Sequence, residues 1–345
     1  MLRLRAAVIG CGLIGKRRAT EAAQHPDSTL VAVADAEPES ATALARAFAC
    51  RAAGSWQDVV TSPEVDIVVV STPNGFLSEI AIAALQAGKH VLLEKPMGRN
   101  LVEARAIAAA ARTSGKLVKI GFNHRYHPAL ARARELFGQG AIGRLINLRL
   151  RYGHGGRPGY EKEWRGNPEL AGGGELTDQG VHALDLVHWF AGMPRCVAAL
   201  TQAAVWPIAP LEDNGFALLS FESGVIASLH TSWTQWKNLF SLEIFGERGA
   251  LIAEGLGGSY GSEILHIQKR LAAGGAPEVA SHRFDGPDLS WRDEWTEFLG
   301  AIGAAEPYQG GPSDGLAVMT MLDALYRSAG SRAFVSLTES PEPRA

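Results

Sequence analysis

The chain has 345 residues, of which 46% are hydrophobic and 20% charged, and its formal net charge at pH 7 is -3. This length suits two domains, and the composition is that of a globular protein with a sizeable core. The sequence contains no long basic run, which argues against a nucleic-acid footprint and against binding to an anionic membrane surface.

The cysteines and the amino terminus predict a cytoplasmic protein. Cys11, Cys50 and Cys196 are an odd number at wide spacings, which favours neither a disulfide framework nor pairs of zinc ligands. Glycines interrupt the opening "MLRLRAAVIGCGLIGKRR", and no small-residue cleavage site follows, so we interpret it as a strand and a turn. No apolar run approaches the ~20 residues that a membrane-spanning helix needs.

Residues 3–121 predict a doubly wound α/β domain. Short β-branched runs alternate with alanine-rich helical stretches, as in a parallel sheet covered by crossover helices. The predicted strands are RAAVIG, TLVAVAD, DIVVVST, KHVLLEK and KLVKIGF. One predicted helix ends at Gly88, and the next begins with Asn100 and Glu103 as a capping pair and stops at Gly115.

After Gly121 the pattern changes to that of an α+β domain. The stretch RLINLRLRY, residues 144–152, alternates like a half-buried antiparallel strand, and GVIASLHTSW and FSLEIFG repeat the alternation. Two predicted helices, WRDEWTEFLGAI and GLAVMTMLDALYRS, close this domain. We therefore predict one domain over residues 1–121, a second over 122–338, and a flexible tail over 339–345.

The first predicted turn carries the spacing of a dinucleotide-binding motif. Its three glycines follow the G-x-G-x-x-G pattern: Gly10, Gly12 and Gly15. A strand precedes them, a helix follows, and Asp35 ends the next strand, which predicts phosphate binding at the helix N-terminus. Asp35 can accept hydrogen bonds from a ribose 2′-hydroxyl and would repel a 2′-phosphate, which favours NAD. Two alternatives stay open: Arg17 and Arg18 could bind the 2′-phosphate of NADP, or Asp35 only forms a turn.

The stretch GGGELTDQGVHALDLVHW, residues 172–189, carries two aspartates and two histidines on a predicted helix: Asp178, His182, Asp185 and His188. At about 100° per residue, an α-helix places His182 ~40° round from Asp178, and Asp185 about 20° back on the other side. This shared face is compatible with acid/base chemistry, with an ordinary polar face, or with a metal site completed by His188. For Asp185 and His188 we favour buried structural hydrogen bonds.

The chain resembles the glucose-fructose oxidoreductase, inositol dehydrogenase and MocA (Gfo/Idh/MocA) family over nearly its whole length. The motifs that carry the resemblance are the glycine motif at 10–15, STPN at 71–74, AGKHVLLEKP at 87–96, FNHR at 122–125, GGG followed by Asp178 and His182, and EIFGERGAL at 243–251. Many relatives have a histidine three residues past the asparagine of STPN. This chain has Leu77 there, so we do not carry over the contact of that histidine.

The resemblance implies an N-terminal Rossmann domain that binds NAD, followed by a C-terminal α+β domain with a large, mostly antiparallel open sheet that binds substrate. It implies an NAD(P)-dependent oxidoreductase that acts on a secondary hydroxyl or ketone of a sugar, polyol or sugar derivative. It also implies a metal-free site, a cis bond between Lys95 and Pro96, and a homodimer or homotetramer formed through the open sheet.

The resemblance places Lys95, Asp178 and His182 at catalytic positions. An alcohol that loses a hydride also loses its hydroxyl proton to a base, and a free imidazole, with a pKa of ~6.5, holds a proton near neutral pH. We predict that His182 is the base, that Asp178 orients and tunes it, and that Lys95 donates to the substrate oxygen. In the alternative, Lys95 and His182 exchange roles.

Two larger sets of binding residues follow from the same motifs and loops. The predicted cofactor-binding residues are Gly10, Gly12, Leu13, Ile14, Gly15, Asp35, Thr72, Pro73, Asn74, Glu94 and Lys95. The predicted substrate-binding residues are Asn123, Arg125, Tyr152, Trp164, Arg165, Asp178 and His182. In loop 151–174, Trp164 is suited to stack on a sugar, and Arg157, Lys162 and Arg165 are suited to bind an anion; the alternative is a solvated surface loop.

Two other functions stay open at this point. One is a redox-neutral glycosidase in which bound NAD oxidises the sugar transiently. The other is a sensor that binds the dinucleotide without catalysis, although such a protein has little reason to retain both Lys95 and His182.

Overall fold

The structure, a computed structural model, describes residues 3–337, so the predicted tail at 339–345 lies outside the described residues. Its strands are β1 (Leu4–Ile9), β2 (Ser28–Ala34), β3 (Arg51–Ala52), β4 (Ile67–Val70), β5 (His90–Leu93), β6 (Val118–Ile120), β7 (Leu145–Gly153), β8 (Cys196–Gln202), β9 (Asn214–Ser220), β10 (Ile226–Ser232), β11 (Leu239–Gly246), β12 (Gly249–Glu254), β13 (Glu263–Lys269), β14 (Glu278–Phe284) and β15 (Val335–Ser336).

The α-helices are α1 (Leu13–Gln24), α2 (Pro38–Phe48), α3 (Trp56–Val60), α4 (Asn74–Gln86), α5 (Leu101–Ser114), α6 (Pro128–Gly138), α7 (Pro168–Ala171), α8 (Val181–Ala191), α9 (Ser290–Ala304) and α10 (Pro312–Ser331). A π-helical turn, Leu176–Gly180, leads directly into α8. Across residues 3–337, every helix is too short or too polar to cross a membrane.

The chain packs as two compact units. The first contains residues 3–123 together with Glu169–Gly172 and Leu289–Met319. The second contains His124–Pro168, Gly173–Asp288 and residues 320–337.

The first unit is built on the predicted parallel sheet. Its strand order is β3-β2-β1-β4-β5-β6, and every neighbouring pair is parallel. The predicted runs form β1, β2, β4, β5 and β6, and all four residues of β4 are buried, as a strand covered on both faces requires. Asn100 caps α5 by accepting a hydrogen bond from the Glu103 amide at 3.0 Å, and Gly115 ends it with φ +66°.

Helix α9 packs within the first unit, whereas the sequence pattern placed it in the second domain. Its Trp295 and Phe298 belong to the same buried cluster as Val8 and Leu30 of the parallel sheet. The Trp295 indole also donates a hydrogen bond of 3.0 Å to the Ser28 hydroxyl. The sequence predicted the helix correctly, but an apolar helix face does not by itself identify the sheet that covers it.

The second unit is built on a nine-stranded sheet in the order β14-β13-β12-β11-β7-β10-β9-β8-β15. The prediction of a large, mostly antiparallel sheet is confirmed. The pairing of β7 was predicted only in part, because β7 is antiparallel to β11 but parallel to β10. Alternation of apolar and polar residues along a strand shows which face is buried. The alternation is the same whether the neighbouring strand is parallel or antiparallel, so it does not predict the direction of that strand.

A buried ion cluster ties α1 to β5 and α9 inside the first unit. The Arg18 guanidinium donates to Glu94 at 2.7 Å and to Glu294 at 2.6 Å, and its side chain is 1% exposed. Burial by itself would lower the pKa of Arg18, but the two carboxylates outweigh it and raise that pKa. The arginine therefore stays charged and compensates two buried acids.

Substituting Arg18→Gln is expected to lower the free energy of unfolding by about 3–5 kcal/mol, because two buried carboxylates lose their counter-charge. Urea denaturation measures the change. Arg17→Gln is the matched control, since Arg17 is exposed on the same helix and its loss should change stability by less than about 0.5 kcal/mol. Equal effects of the two substitutions would contradict the assignment.

Candidate active site

The predicted cofactor residues cluster at one edge of the parallel sheet. Each group follows the carboxyl end of a strand: the glycine turn follows β1, Asp35 follows β2, Thr72 to Asn74 follow β4, and Glu94 and Lys95 follow β5. In open α/β sheets, ligands bind at this edge, where the strand order reverses. Here the reversal lies at β1, beside the glycine turn.

The glycine turn is closed by contacts that exclude side chains. Gly10 has φ +95°, and a Cβ at this position would lie 2.5 Å from the Ser71 carbonyl oxygen. A Cβ on Gly15 would overlap the Gly10 carbonyl oxygen, so Gly15 permits the helix to approach the strand. Gly12 is different, because a Cβ there would meet no protein atom within 4 Å.

The space beside Gly12 therefore fits a cofactor that approaches the backbone, as a pyrophosphate does at this motif. Gly12 precedes the first residue of α1, so the amide groups of the helix N-terminus are at the same place. Leu13 is 72% exposed and Ile14 is partly buried, which leaves an apolar surface next to the turn.

Asp35 connects the ends of β1 and β2. Its carboxylate accepts hydrogen bonds from the amides of Cys11 at 2.5 Å and Glu37 at 2.9 Å, and the residue stays partly exposed. Burial, aided by Asp35, raises the pKa of the Cys11 thiol to about 12, so this cysteine is protonated. Arg18 is committed to its two acids, which removes one of the two arginines proposed for a 2′-phosphate.

The remaining predicted residues of the first unit divide between exposed and buried positions. Lys95 is partly exposed, and its bond to Pro96 is cis, as the resemblance implied. Glu94 is buried and bonded to Arg18. Asn74 is also buried and donates to the Ala171 carbonyl at 2.8 Å. Leu77, which replaces the histidine of many relatives, is fully buried in α4.

Thr72 and Pro73 lie in the connection between β4 and α4, and Pro73 is the N-cap residue of that helix. Asn123, which follows β6 in a short 3-10 turn, is buried and donates to the Ser290 hydroxyl at 3.0 Å. The structure thus places both segments at the predicted edge of the first sheet.

In the second unit, Asp178 and His182 lie on the segment that runs from the π turn into α8. The sequence predicted a regular α-helix, but Asp178 lies inside the π turn, so the predicted angles do not hold for it. Such turns are rare and frequent at functional sites. His182 lies in the first turn of α8 and is 6% exposed.

A buried carboxylate that the sequence analysis missed anchors this segment. Glu212 accepts hydrogen bonds from the amides of Gly174 at 3.2 Å and Leu176 at 2.9 Å, at the N-terminal end of the helical segment. The Tyr326 hydroxyl donates to the same carboxylate at 2.8 Å and lies 2.8 Å from the Thr177 hydroxyl. Burial raises the pKa of Glu212, while these hydrogen bonds oppose the rise.

The same contacts explain two glycines of the GGG motif. A Cβ on Gly173 would overlap the hydroxyls of Thr177 and Tyr326, and a Cβ on Gly174 would overlap the Glu212 backbone. The motif therefore permits the tight packing of the helix start.

Asp178 is paired with Arg165 of the loop at 151–174. The Arg165 Nε lies 3.1 Å from the Asp178 carboxylate, which raises the pKa of the guanidinium, and the Arg165 guanidinium stacks over the Trp164 ring at 4.5 Å. Arg157 makes two hydrogen bonds of 2.7 Å to Glu163. The loop also packs inward, since Tyr160 is 3% exposed and contacts the Trp233 ring at 4.9 Å.

His182 lies in a cluster of aromatic rings. The His124 ring stacks on it, with centroids 3.9 Å apart and an interplanar angle of 25°. Tyr152 contacts both rings edge-on, at 5.2 Å from His124 and 6.4 Å from His182. Burial raises the pKa of Tyr152 well above its usual value, helped by the neighbouring Tyr260, so its hydroxyl stays protonated.

His124 is a second residue that the sequence analysis missed. It belongs to the FNHR motif, in which only Asn123 and Arg125 were predicted to bind substrate. Arg125 is 3% exposed and pairs with Asp185 through hydrogen bonds of 2.9 and 2.6 Å, which gives Asp185 the structural role that we favoured. Within residues 3–337, no group of three or more metal-ligating side chains has the geometry to hold an ion.

Comparison with known proteins identifies relatives of both units. A family model described as "Oxidoreductase family, NAD-binding Rossmann fold" matches residues 4–122, and one described as "GFO/IDH/MocA C-terminal domain" matches residues 130–252. The chain is 32% identical to D-glucoside 3-dehydrogenase of Escherichia coli over 250 residues, 67% of this chain and 70% of that protein. It is 28% identical to levoglucosan dehydrogenase of Pseudarthrobacter phenanthrenivorans over 288 residues, 73% of this chain and 74% of that protein.

Solved structures agree with these matches. The aldose-aldose oxidoreductase of Caulobacter crescentus, complexed with glycerol, is 26% identical with a TM-score of 0.86, covering 97% of this chain and 100% of that chain. A levoglucosan dehydrogenase complex with NADH and levoglucosan has a TM-score of 0.88 at 24% identity, covering 98% and 100% of the two chains, which shows the common fold.

The glycine turn generates a test of the cofactor position. Gly12→Ala should leave the unfolding temperature unchanged but weaken NAD binding at least tenfold, because its Cβ enters space that is open in the protein. Gly15→Ala should instead lower the unfolding temperature, because its Cβ overlaps backbone. Thermal unfolding and calorimetric titration with NAD measure both effects. NAD binding that Gly12→Ala leaves unaltered would place the cofactor elsewhere.

Proposed function

Because the chain belongs to the Gfo/Idh/MocA family of oxidoreductases, we propose that it is an NAD-dependent dehydrogenase or reductase that acts on a secondary hydroxyl or ketone of an uncharged sugar or polyol. One observation carries the proposal: His182 sits on a helix start that Glu212 anchors, stacked on the His124 ring and beside Tyr152, whose hydroxyl stays protonated. A base that is held in this way is ready to receive a hydroxyl proton.

The chemistry divides among a few residues. NAD, when bound, accepts the hydride from the substrate carbon. His182 accepts the hydroxyl proton through its imidazole, and Lys95 donates a hydrogen bond to the same oxygen as negative charge develops there. In the reverse direction, the same two groups return a proton to the alkoxide. Asp178 holds Arg165, and through it the loop that carries Trp164.

The pairing of charges in the second unit supports an uncharged substrate. Two of the arginines that the sequence offered for a carboxylate or phosphate are already paired with acids of the protein, Arg157 with Glu163 and Arg165 with Asp178. Glu175, which is fully buried, adds a further acid beside the π turn. A substrate carboxylate would therefore be repelled by these acidic side chains, because the two arginines are already paired.

Preference for NAD over NADP rests on the end of β2. Asp35 stays partly exposed and places an acidic side chain beside the position expected for the adenine ribose. Because Arg18 is buried with Glu94 and Glu294, it is not available to compensate a 2′-phosphate.

A substrate panel tests the function. The panel contains four neutral compounds: levoglucosan, methyl α-D-glucoside, D-xylose and myo-inositol. We expect NADH absorbance to rise when the protein and NAD are incubated with at least one of them. His182→Ala and Lys95→Met should each lower turnover by about 10²–10⁴-fold with little change in NAD affinity, since each removes one proton-handling group. Near wild-type turnover in His182→Ala would contradict its role as the base.

A matched pair of glycosides tests the preference for an uncharged substrate. Methyl α-D-glucoside and methyl α-D-glucuronide differ at C6, where the second compound carries a carboxylate. If the glucoside is a substrate, the glucuronide should have a kcat/KM at least tenfold lower. A preference for the glucuronide would contradict the proposed uncharged substrate. Cleavage of the glycoside without net NADH would support the redox-neutral alternative instead.

We also propose that the outer face of the nine-stranded sheet binds a second copy of the chain. Leu200, Phe216 and Leu218 of β8 and β9 are 45–64% exposed, and together with Phe334 they line an apolar cavity of about 410 Å³. Apolar surface of this kind on a folded protein marks an association site, and the family forms oligomers through this sheet, as the resemblance implied.

Light scattering at tens of micromolar protein should therefore give at least a dimer. Leu218→Lys should shift the protein towards monomer by placing a charge in the apolar face. Val102→Lys is the control, because Val102 is exposed on α5 of the first unit. A monomeric wild-type protein would contradict the proposal.

A further inference from the structure

We propose that His124 is a positioning residue for His182: its ring lies face to face with the His182 ring, fixes the plane of that ring, and makes the two imidazoles compete for one proton. The inference rests on the proposed role of His182 as the base. It extends that role to a residue to which the family motifs and the resemblance gave no function.

The rings of His124 and His182 are stacked and buried. The ring centroids are 3.9 Å apart at an interplanar angle of 25°, which is a stacked arrangement. His124 and His182 are 5% and 6% exposed, so neither ring turns freely towards solvent. His124 is fixed from its own side, because it lies in the 3-10 turn Asn123–Tyr126 and its neighbour Arg125 is bonded twice to Asp185 of α8.

The remaining walls of the cluster complete this support. Tyr152 of β7 and Phe240 of β11 contact the His124 ring at 5.2 and 6.1 Å. His127, at the N-cap of α6, contacts it edge-on at 5.6 Å. A ring held on these sides presents a fixed plane to His182.

The interaction between the two rings is also electrostatic. Two imidazolium ions with centroids about 4 Å apart repel each other strongly in a protein interior, so protonation of one ring opposes protonation of the other. Two groups coupled in this way release their protons in two steps that belong to the pair. For a base that cycles between neutral and charged forms, a neutral stacked partner also stabilises the charged form through its π face.

Other titratable groups around His124 do not replace this coupling. Tyr152 stays protonated because burial raises its pKa, and behind it lies Tyr260, whose pKa burial also raises. His127 has its own buried acid, Glu263, with Nδ1 3.1 Å from the carboxylate.

The acids of the π-turn segment also act on this cluster. Glu175 and Asp178 favour the neutral form of Tyr152, and Arg165 partly compensates Asp178. Their negative charge favours one proton on the stacked pair, and the stacking opposes a second.

The direct test needs neither cofactor nor substrate. Histidine ring signals of the wild-type protein are followed by NMR across pH 5–9 and assigned to His124 and His182 with single variants. We expect both rings to report the same two steps, and the His182 signal to change to a single one-proton step in His124→Phe. Independent single steps for the two rings in the wild-type protein would overturn the proposal.

Kinetics with an active compound from the panel give the second readout. His124→Ala should lower kcat at least tenfold while KM changes less than about threefold, because the ring plane is lost but substrate contacts remain. His124→Phe should recover most of kcat, since a flat ring is restored, and should move the acid limb of kcat/KM to higher pH, because the competing imidazole is gone.

The matched control is His188→Phe. His188 lies six residues after His182 on α8, about 240° round the helix, and its replacement should leave both kcat and the acid limb in place. Wild-type kcat and an unchanged pH profile in both His124 variants would overturn the positioning role.

The tests separate the two proposals. If His182→Ala retains turnover while the rings titrate as a pair, the proposed base is wrong and the coupling stands. If His182→Ala is inactive while the rings titrate independently, the base stands and the role of His124 is wrong.

Discussion

Buried carboxylates, each paired with an arginine or hydrogen-bonded to the backbone, hold the segments on which the proposed chemistry depends. Glu94, one residue before Lys95, is fixed by Arg18, and Glu212 holds the start of the segment that carries Asp178 and His182. Asp185, one turn after His182 on α8, holds Arg125 beside His124. A buried carboxylate is costly unless it is paired or hydrogen-bonded, so each of these contacts permits few alternative positions for the backbone next to it. The side chains proposed for catalysis therefore lie next to backbone that these contacts hold in place.

This rigidity has a chemical consequence. General base catalysis requires a proton acceptor within hydrogen-bond reach, and a ring that rotates loses that alignment for part of the time. His182 is restrained from the helix by the Glu212 anchor and from its own side by the stacked His124. The loop with Trp164 is linked to the same segment through the Arg165–Asp178 pair. The residues proposed for substrate binding and for proton transfer are thereby linked through one segment.

Much of this arrangement was predictable because short-range patterns determine it. The strands β1, β2, β4, β5 and β6, the cap at Asn100 and the glycine turn all follow from local spacing. The unpredicted features depend on partners distant in sequence. Glu212 accepts a hydrogen bond from the amide of Gly174, 38 residues earlier and just before the π turn, and Arg18 meets Glu294 across 276 residues. The π turn depends on one extra residue within a helical pattern, and the stack of His124 on His182 depends on the folded chain.

The central claim is that hydride leaves a sugar carbon for NAD. The most direct measurement uses the active compound of the panel, deuterated at every ring carbon and incubated with NAD and the protein, with the nicotinamide analysed by mass spectrometry. The account predicts NADH that is heavier by one deuterium, formed in equal amount to the oxidised sugar. Loss of deuterium to water, with a cleaved glycoside and no accumulated NADH, would contradict it.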